Sequence, residues 1–262
     1  MDEAASLGLN YRYLLLDLDL KHEGAAALPQ LLEQAERAGF AGVNVTYPCK
    51  QLVVPLLDQV SEQARRLNAV NTVVFKNGKR EGHNTDWWGF AESFRRELPD
   101  ASLARVVLVG AGGAGAAVAY AALQLGAKTV LIHDSDPARV AALLARLGPL
   151  FPGSCVLKGG ELAADLRTAD GLIHATPVGM AKSPGLAVPA ASIQPPLWVA
   201  DVVYFPLETQ LLALARARGC RVLQGGGMAV LQAARALALF TGRTPDLQRM
   251  LARFPHQGPV SS

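Results

Sequence analysis

The chain has 262 residues, half of them hydrophobic, and a net charge of +3, so it can build one large domain or two modest ones. Its three cysteines, Cys49, Cys155 and Cys220, are an odd number at no metal-ligand spacing, and neither a disulfide framework nor a metal site is expected. Scattered arginines, an acidic N-terminus and the lack of a ~20-residue apolar run argue against nucleic-acid binding, secretion and membrane insertion, and favour a cytoplasmic location.

The first hundred residues alternate predicted strands and helices, which indicates a βαβ layout. Residues 11–18 are an apolar run typical of a strand, Leu28–Arg37 has helical periodicity, and residues 42–46 predict a short buried strand. Proline fits the first position of a helix, where its missing N–H costs nothing. A helix is therefore predicted to begin near Pro48, with Lys50 in its first turn.

A hairpin and a second helix follow. Residues 70–76 predict another strand, Asn77-Gly78 is a hairpin signal, and the chain returns toward Asn84 before a helix that starts at about Asp86. A carboxylate near a helix N-terminus is favoured by the helix dipole, so Asp86 by itself indicates only a helix cap.

The composition changes after the break at residues 98–100, which marks a second domain with a doubly wound pattern. Arg105–Val109 predicts a buried strand, residues 116–125 predict an alanine-rich helix, and residues 128–133 predict the next strand. Between the first strand and the helix lies a GxGGxG sequence, and Asp134 ends the second strand. This order is the dinucleotide fingerprint.

Each glycine of this turn has a physical role in the prediction. Gly110 permits the sharp turn, Gly112 lets the backbone approach the pyrophosphate, and Gly115 allows close packing of the helix. The alternative is a glycine-rich turn that binds no ligand. The residues of the turn predicted to bind the cofactor are Gly110, Ala111, Gly112, Gly113, Ala114 and Gly115.

The residue at the end of the second strand predicts which nicotinamide cofactor is used. A carboxylate at Asp134 accepts hydrogen bonds from the adenosine ribose hydroxyls and repels the extra 2′-phosphate of NADP. Asp136 adds a second acid, whereas Arg139 lies further along the chain and only partly offsets them. NAD is therefore the predicted cofactor, and NADP is less favoured.

Three later segments are placed where an open sheet binds its ligands. Thr176-Pro177 follows an apolar strand predicted at Gly171–His174, and the residues after Asp201 follow another. Both segments lie at carboxyl ends, although each could equally be an ordinary turn. Residues 225–227 are glycines predicted to precede a helix that carries Gln232. Taken alone, Gln232 is more typical of a surface position.

In order and spacing these segments resemble the shikimate/quinate dehydrogenase family, and within it the NAD-using branch, over residues 8–254. The motifs that carry the resemblance are Asn44-Val45-Thr46-x-Pro48-x-Lys50, Ala69-Val70-Asn71-Thr72, Asn84-Thr85-Asp86-x-x-Gly89, the GxGGxG turn, Ala175-Thr176-Pro177-x-Gly179-Met180, Asp201-x-x-Tyr204-x-Pro206-x-x-Thr209, and Met228 with Gln232. The resemblance implies an α/β fold with an N-terminal α/β substrate domain (1–101), a C-terminal Rossmann domain with a doubly wound parallel sheet (102–224), and helices that return to the first domain (225–262). It places a polyol carboxylate in a cleft between the domains.

The resemblance also implies an activity and a set of site residues. The activity is NAD-dependent, reversible oxidation of a ring hydroxyl of quinate or shikimate to the 3-dehydro acid, with Lys50 and Asp86 as the acid/base pair. Without Asp86 and Asn71, Lys50 would be read as a solvated lysine. The implied substrate-binding residues are Asn44, Thr46, Asn71, Tyr204 and Gln232. Beyond the glycine turn, the implied cofactor-binding residues are Asp134, Arg139, Thr176, Pro177, Val203, Gly226 and Met228. The chain is expected to be a monomer or a homodimer. It is also expected to bind a small-molecule substrate.

The N-terminus departs from the family's pattern. The family usually opens with a strand and a Ser-x-Ser or Ser-x-Thr loop that binds the substrate carboxylate, whereas residues 1–5 resemble the segment that follows this loop. We expect either a start placed too late or divergence to another ligand. The alternatives are therefore an aminoshikimate-type or other polyol dehydrogenase, and a dinucleotide- or metabolite-binding homologue without turnover. Asn68 and His174 are smaller departures, expected to tune affinity.

Overall fold

The computed structural model describes residues 2–18 and 24–254, and these form two compact α/β units. Over the described residues, the first unit comprises residues 2–18, 24–85 and 232–253, and the second comprises residues 86–231 together with Phe254. Met1 and residues 255–262 of the predicted C-terminal segment lie outside the described residues. Over the described ranges, no helix is both long and apolar enough to cross a membrane.

Ten helices and ten strands make up the described ranges, besides short 3₁₀ turns. The helices are α1 (Asp2–Ser6), α2 (Leu28–Arg37), α3 (Glu62–Leu67), α4 (Asp86–Glu97), α5 (Gly113–Gln124), α6 (Pro137–Leu147), α7 (Leu162–Arg167), α8 (Gln210–Ala217), α9 (Gly225–Thr241) and α10 (Leu247–Arg253). The strands are β1 (Gly42–Asn44), β2 (Gln59–Val60), β3 (Thr72–Lys76), β4 (Lys79–His83), β5 (Arg105–Val109), β6 (Thr129–His133), β7 (Cys155–Lys158), β8 (Gly171–His174), β9 (Trp198–Asp201) and β10 (Val222–Leu223).

The first unit is built on a mixed four-stranded sheet in the order β1-β3-β4-β2. β1 and β4 run antiparallel to β3, and β2 runs parallel to β4. Asn77 and Gly78 join β3 to β4 with φ angles of 53° and 68°, the left-handed region that these two residue types tolerate best. The predicted hairpin is therefore confirmed. Helix α2 has the predicted bounds and buries Leu28, Leu32 and Ala35 along one face.

The predicted strand at residues 11–18 is wrong. Residues 11–17 have no regular secondary structure and Leu18 is in a bend. The side chains of this segment are largely exposed, with 83% of Leu15 accessible to solvent. A strand needs a neighbour to pair with its backbone groups, and among the described residues no strand pairs with this segment. The segment therefore has the apolar pattern of a strand but no neighbouring strand, among the described residues, with which to form backbone hydrogen bonds.

The predicted helix near Pro48 is also wrong. Residues 47–53 form consecutive turns, which lead into a 3₁₀ helix at Val54–Leu56. The N–H of Cys49 bonds to the carbonyl three residues earlier, whereas the N–H of Val53 bonds four residues back, to Cys49. Because these spacings alternate, the segment does not settle into regular α-helix. Lys50 consequently lies in a turn.

The second unit contains a six-stranded sheet in the order β10-β9-β8-β5-β6-β7, in which every pairing is parallel. From β5 the chain order steps to β6 and β7 on one side and to β8, β9 and β10 on the other. This is a doubly wound sheet whose direction changes between β5 and β8, and such sheets bind ligands at the carboxyl ends of the strands at this point. Strands β5 and β8 have the predicted bounds, and the predicted fold class is confirmed.

The sequence predicts that the glycines at residues 225–227 precede a helix. In the structure they instead form the first turn of α9. Glycine is required there by close packing. A Cβ at Gly225 would lie 2.6 Å from the carbonyl oxygen of Val203, and one at Gly227 would lie 2.5 Å from Ser93 Oγ. Both distances are far below van der Waals contact, so larger residues would push the helix away.

Candidate functional site

A buried asparagine organises the polar centre of the first unit. Asn71, which is 3% exposed, accepts hydrogen bonds at Oδ1 from the N–H of Thr85 (2.8 Å) and the hydroxyl of Thr72 (3.1 Å). Its Nδ2 lies 2.9 Å from Thr85 Oγ1. Its main-chain N–H donates to the carbonyl of His83, the last residue of β4, and its carbonyl accepts the N–H of Val45, the residue after β1. The Asn71 amide is therefore held in one orientation.

The same hydrogen-bonded network reaches two more of the predicted substrate-binding residues. Asn44 Nδ2 donates to Thr72 Oγ1 over 3.1 Å, and the hydroxyl of Thr85 lies 3.3 Å from Gln232 Oε1. We call these five residues, Asn44, Asn71, Thr72, Thr85 and Gln232, the Asn71 network. Reasoning from the sequence did not single out Thr72 or Thr85. Their signal was position alone, since each hydroxyl directly follows an asparagine of a motif.

Lys50 lies in the turns at residues 47–53, and Thr46 lies directly before these turns. Lys50 is partly buried, and its carbonyl accepts the N–H of Val70, the residue before Asn71 (2.8 Å). Thr46 is exposed, and its carbonyl accepts the N–H of Cys49. Burial raises the pKa of the Cys49 thiol and so disfavours its thiolate form. Because the thiolate is the reactive form, Cys49 is poorly suited to act as a nucleophile.

Asp86 begins α4 in the second unit and is 5% exposed. In the chain it directly follows Thr85, the residue whose N–H is bound by Asn71. The first turn of a helix is a favourable place for a carboxylate because the helix dipole is positive there. Both interpretations made from the sequence, a helix-terminal acid and a catalytic acid, are compatible with this position.

The glycine turn in the second unit has space on one side only. Gly110 has a φ of +106°, and a Cβ there would meet the carbonyl oxygen of Ala175 at 2.6 Å. A Cβ at Gly115 would lie 1.9 Å from Gly110 O, whereas Cβ atoms at Gly112 and Gly113 would have no neighbour within 4 Å. Gly112 and Gly113 are the N-cap and the first residue of α5, and this helix start has no side-chain cap. This arrangement suits the pyrophosphate of a dinucleotide.

Asp134 is fixed beside this turn by two backbone donors. Its Oδ2 accepts the N–H of Ala111 (2.7 Å), and its Oδ1 accepts the N–H of Asp136 (2.9 Å). Arg139 lies 3.5 Å from Asp136, and 62% of its side chain is exposed. The carboxylate is therefore a negative charge of fixed position at the carboxyl end of β6, adjacent to the turn.

The loops after β8 and β9 carry the remaining predicted residues of the sheet edge. Thr176 Oγ1 accepts the N–H of Val178 (3.2 Å), and Pro177 beside it is exposed. The N–H of Val203 donates to Asp201 Oδ1 (3.0 Å). Tyr204 follows in an irregular stretch and is 56% exposed. All of these residues lie at carboxyl ends of parallel strands, as predicted.

Gly226 and Met228 belong to the first turn of α9. A Cβ at Gly226 would lie 2.7 Å from the ring of Phe254, so this glycine is needed for packing. Met228 is 9% exposed. Among the residues described, no group of three or more His, Cys, Asp or Glu side chains is placed to hold a metal ion.

The parallel sheet and its glycine turn define the second unit as a Rossmann-type dinucleotide-binding fold. Residues 1–73 match the family model for the shikimate dehydrogenase substrate binding domain, and residues 96–193 match that for the alanine dehydrogenase/PNT C-terminal domain. The chain is 54% identical over 252 residues to a shikimate dehydrogenase (NADP(+)) of Streptomyces avermitilis, covering 95% of this chain and 87% of the relative.

Relatives named for NAD are also similar over most of the chain. The chain is 46% identical over 261 residues to a quinate/shikimate dehydrogenase (NAD(+)) of Corynebacterium efficiens, covering 97% of this chain and 91% of the relative. The solved structure of quinate dehydrogenase from Corynebacterium glutamicum in complex with NAD has a TM-score of 0.89 and 42% identity, covering 96% of this chain and 90% of that one. The chain therefore belongs to the shikimate/quinate dehydrogenase family, which confirms the resemblance. This membership makes it an oxidoreductase with a nicotinamide dinucleotide cofactor.

Proposed function

We propose that the chain is an NAD-dependent dehydrogenase that reversibly converts one ring hydroxyl of quinate, shikimate or both to the 3-dehydro acid. The observation that carries the proposal is the Asn71 network, which joins three of the predicted substrate-binding residues in one unit. Amide side chains both donate and accept hydrogen bonds, which is what recognition of ring hydroxyls requires. Relatives of this chain are named for these two acids.

Lys50 and Asp86 are the proposed acid/base pair. During oxidation the neutral amine of Lys50 takes the hydroxyl proton, and during reduction its ammonium returns a proton to the carbonyl oxygen. The Asp86 carboxylate orients the ammonium. When bound, the dinucleotide supplies the hydride acceptor at its nicotinamide ring. Two contacts support the pair: the carbonyl of Lys50 is held by the residue before Asn71, and the residue before Asp86 is held by Asn71 itself.

The ring hydroxyls are proposed to be bound by the predicted substrate residues. Asn71 and Gln232 share Thr85 as a hydrogen-bonding partner, so their amides are oriented together. Asn44 is oriented by Thr72 in the same way. Thr46, which is exposed, contributes a hydroxyl, and Tyr204 lines the substrate pocket.

Asp134 favours NAD over NADP. Its two oxygens are fixed by backbone donors, so the carboxylate cannot swing away from an incoming 2′-phosphate. The nearby cation, Arg139, lies 3.5 Å from Asp136 and is largely exposed, which weakens it as a phosphate ligand. A carboxylate placed in this way accepts the ribose hydroxyls of NAD and repels the additional charge of NADP.

The activity is tested by initial rates with quinate and shikimate, each with NAD and NADP. Lys50→Met should lower kcat by about 10²- to 10⁴-fold, the usual contribution of a positioned acid/base group. Lys76→Met, at an exposed position at the end of β3, is the matched control and should retain the wild-type rate. Absence of turnover by folded wild-type protein with every pair, while NADH still binds, would instead support a non-catalytic binding role. Turnover of only aminoshikimate or another polyol would identify that compound, in place of quinate or shikimate, as the substrate.

The cofactor preference is tested separately with Asp134→Asn. This change removes the charge but keeps an acceptor for one of the two backbone donors. A hydrogen bond to a charged group contributes about 1.5–3 kcal/mol, so kcat/KM for NAD should fall by roughly 10- to 100-fold while that for NADP rises. Asp170→Asn, just before β8 at the amino end of that strand, is the control, since it also removes a charge and keeps an oxygen that accepts the N–H of Arg105. An unchanged ratio of the two kcat/KM values would refute the role of Asp134.

A further inference from the structure

A buried histidine–aspartate pair lies where β8 and β9 end. His174 and Asp201 are opposite residues in the register of these parallel strands, and they are 1% and 2% exposed. His174 Nδ1 lies 2.9 Å from Asp201 Oδ1. Two hydroxyls complete the group: Thr176 Oγ1 lies 2.5 Å from His174 Nε2, and Thr209 Oγ1 lies 2.7 Å from Asp201 Oδ2. These four residues are called the His174–Asp201 network.

Each polar side chain of the network has a hydrogen-bonding partner. Thr176 Oγ1 accepts the N–H of Val178 and lies within hydrogen-bond distance of His174 Nε2. On the other side of the ring, His174 Nδ1 is hydrogen-bonded to Asp201 Oδ1. At the other end, Thr209 caps α8 by accepting a backbone N–H, and its hydroxyl donates to Asp201 Oδ2.

The hydrogen bonds of this network reach the two loops that follow β8 and β9. At one end it holds the side chain of Thr176, and at the other the backbone N–H of Val203 donates to Asp201 Oδ1. Ala175, between His174 and Thr176, donates its N–H to Val109 O, and its carbonyl closes over Gly110 of the glycine turn. One buried pair therefore links three segments that converge at the point where the sheet changes direction.

Stability alone does not account for such a network. A buried carboxylate loses its hydration, and apolar residues of the same volume are often at least as stabilising as a buried charged group. What a fully satisfied polar network adds is a single orientation of its members. Here one of these members, Thr176, lies next to Gly110 of the glycine turn, where its methyl carbon would be 3.0 Å from an added Cβ.

We propose that His174 is a positioning residue for the dinucleotide: through Thr176 on one side and Asp201 on the other, it fixes the two loops that contact the nicotinamide half of the cofactor. The inference rests on the proposed placement of Thr176, Pro177 and Val203 at the cofactor. His174 itself touches neither cofactor nor substrate and takes no part in proton transfer.

The test compares three substitutions by NADH titration, cofactor KM and kcat. His174→Leu removes both hydrogen bonds and should raise the Kd for NADH and the KM for NAD about tenfold, which corresponds to about 1.4 kcal/mol. His174→Asn keeps a donor where Nδ1 lies, and His174→Gln keeps a polar group where Nε2 lies. Each should recover part of the affinity. The kcat at saturating cofactor and the KM for the acid substrate should stay within about twofold of wild type.

The control is Ser93→Ala, which removes a hydrogen bond from a buried side chain of the same unit, to Glu97. It should lower the melting temperature without changing the Kd for NADH. The proposal is overturned if His174→Leu behaves in the same way, or if it binds NADH as wild type does. If His174→Leu does not fold, the Kd values of the Asn and Gln variants decide, and wild-type values for both would overturn the proposal. Wild-type protein that binds NADH without oxidising quinate or shikimate would defeat the proposed function and leave this comparison valid.

Discussion

Two glycines of one turn should respond in opposite ways to the addition of a methyl group. A Cβ at Gly115 would lie 1.9 Å from the carbonyl oxygen of Gly110, a backbone atom that cannot rotate away. Overpacking of this kind costs about 1–3 kcal/mol and sometimes more. At roughly 2–4 °C for each kcal/mol in a protein of this size, Gly115→Ala should lower the melting temperature by several degrees.

Gly112→Ala should leave the fold almost unchanged but weaken the binding of the cofactor. No atom lies within 4 Å of a Cβ at this position, and alanine in place of glycine as the N-cap of α5 costs at most about 1 kcal/mol. The methyl group would, however, fill the space in front of the α5 N-terminus where the pyrophosphate is expected. The Kd for NADH should therefore rise tenfold or more, which is about 1.4 kcal/mol or more.

The positions of the tryptophans allow the stability of the second unit to be measured by fluorescence. All three tryptophans, Trp87, Trp88 and Trp198, belong to the second unit, so the thermal transition seen by tryptophan fluorescence reports on the unit that contains the turn. NADH titration of the same samples gives the affinity. The reasoning is refuted if Gly115→Ala melts at the wild-type temperature, or if Gly112→Ala binds NADH with wild-type affinity.

Two further predictions concern the first unit. Asn71→Ala leaves the buried N–H of Thr85 without its acceptor, which should cost about 1–3 kcal/mol of unfolding free energy in urea and raise the KM for shikimate or quinate; an unchanged KM would remove Asn71 from the substrate site. The hydrogen bonds from Arg249 hold the pKa of Glu3 below its usual value of 4.5, against the opposing effect of burial. Because the folded-state pKa is lowered, this contribution to stability is fully present above pH 4.5 and is lost as the pH falls below that value. In urea unfolding, the advantage of wild type over Glu3→Gln should therefore shrink as the pH is lowered below 4.5; a constant difference would contradict this.

The elements that were predicted well are those whose signal is local. Helix α2 and strands β5 and β8 have the predicted bounds because their apolar spacing and their flanking residues agree. The failures at residues 11–18 and near Pro48 have another origin. A strand depends on a neighbour in the ladder, and a helix depends on a uniform hydrogen-bond spacing, and neither is visible in the periodicity of the segment itself. The glycines at the start of α9 were misplaced for a related reason, since their need for close packing arises from residues distant in sequence.

The candidate site shows the same division at the level of single residues. Motif spacing named Asn71, Gln232 and Asp134, but the bonds that orient them come from tertiary structure, as when Asp134 accepts the N–H of a residue 23 positions earlier. His174 and Asp201 lie 27 positions apart, and only the register of β8 against β9 brings them face to face. A shift of one residue in that register would separate the pair and release both loops, because side chains alternate between the two faces of a sheet. Strand register, which the sequence does not state, is therefore the physical variable that decides whether these polar residues form a site.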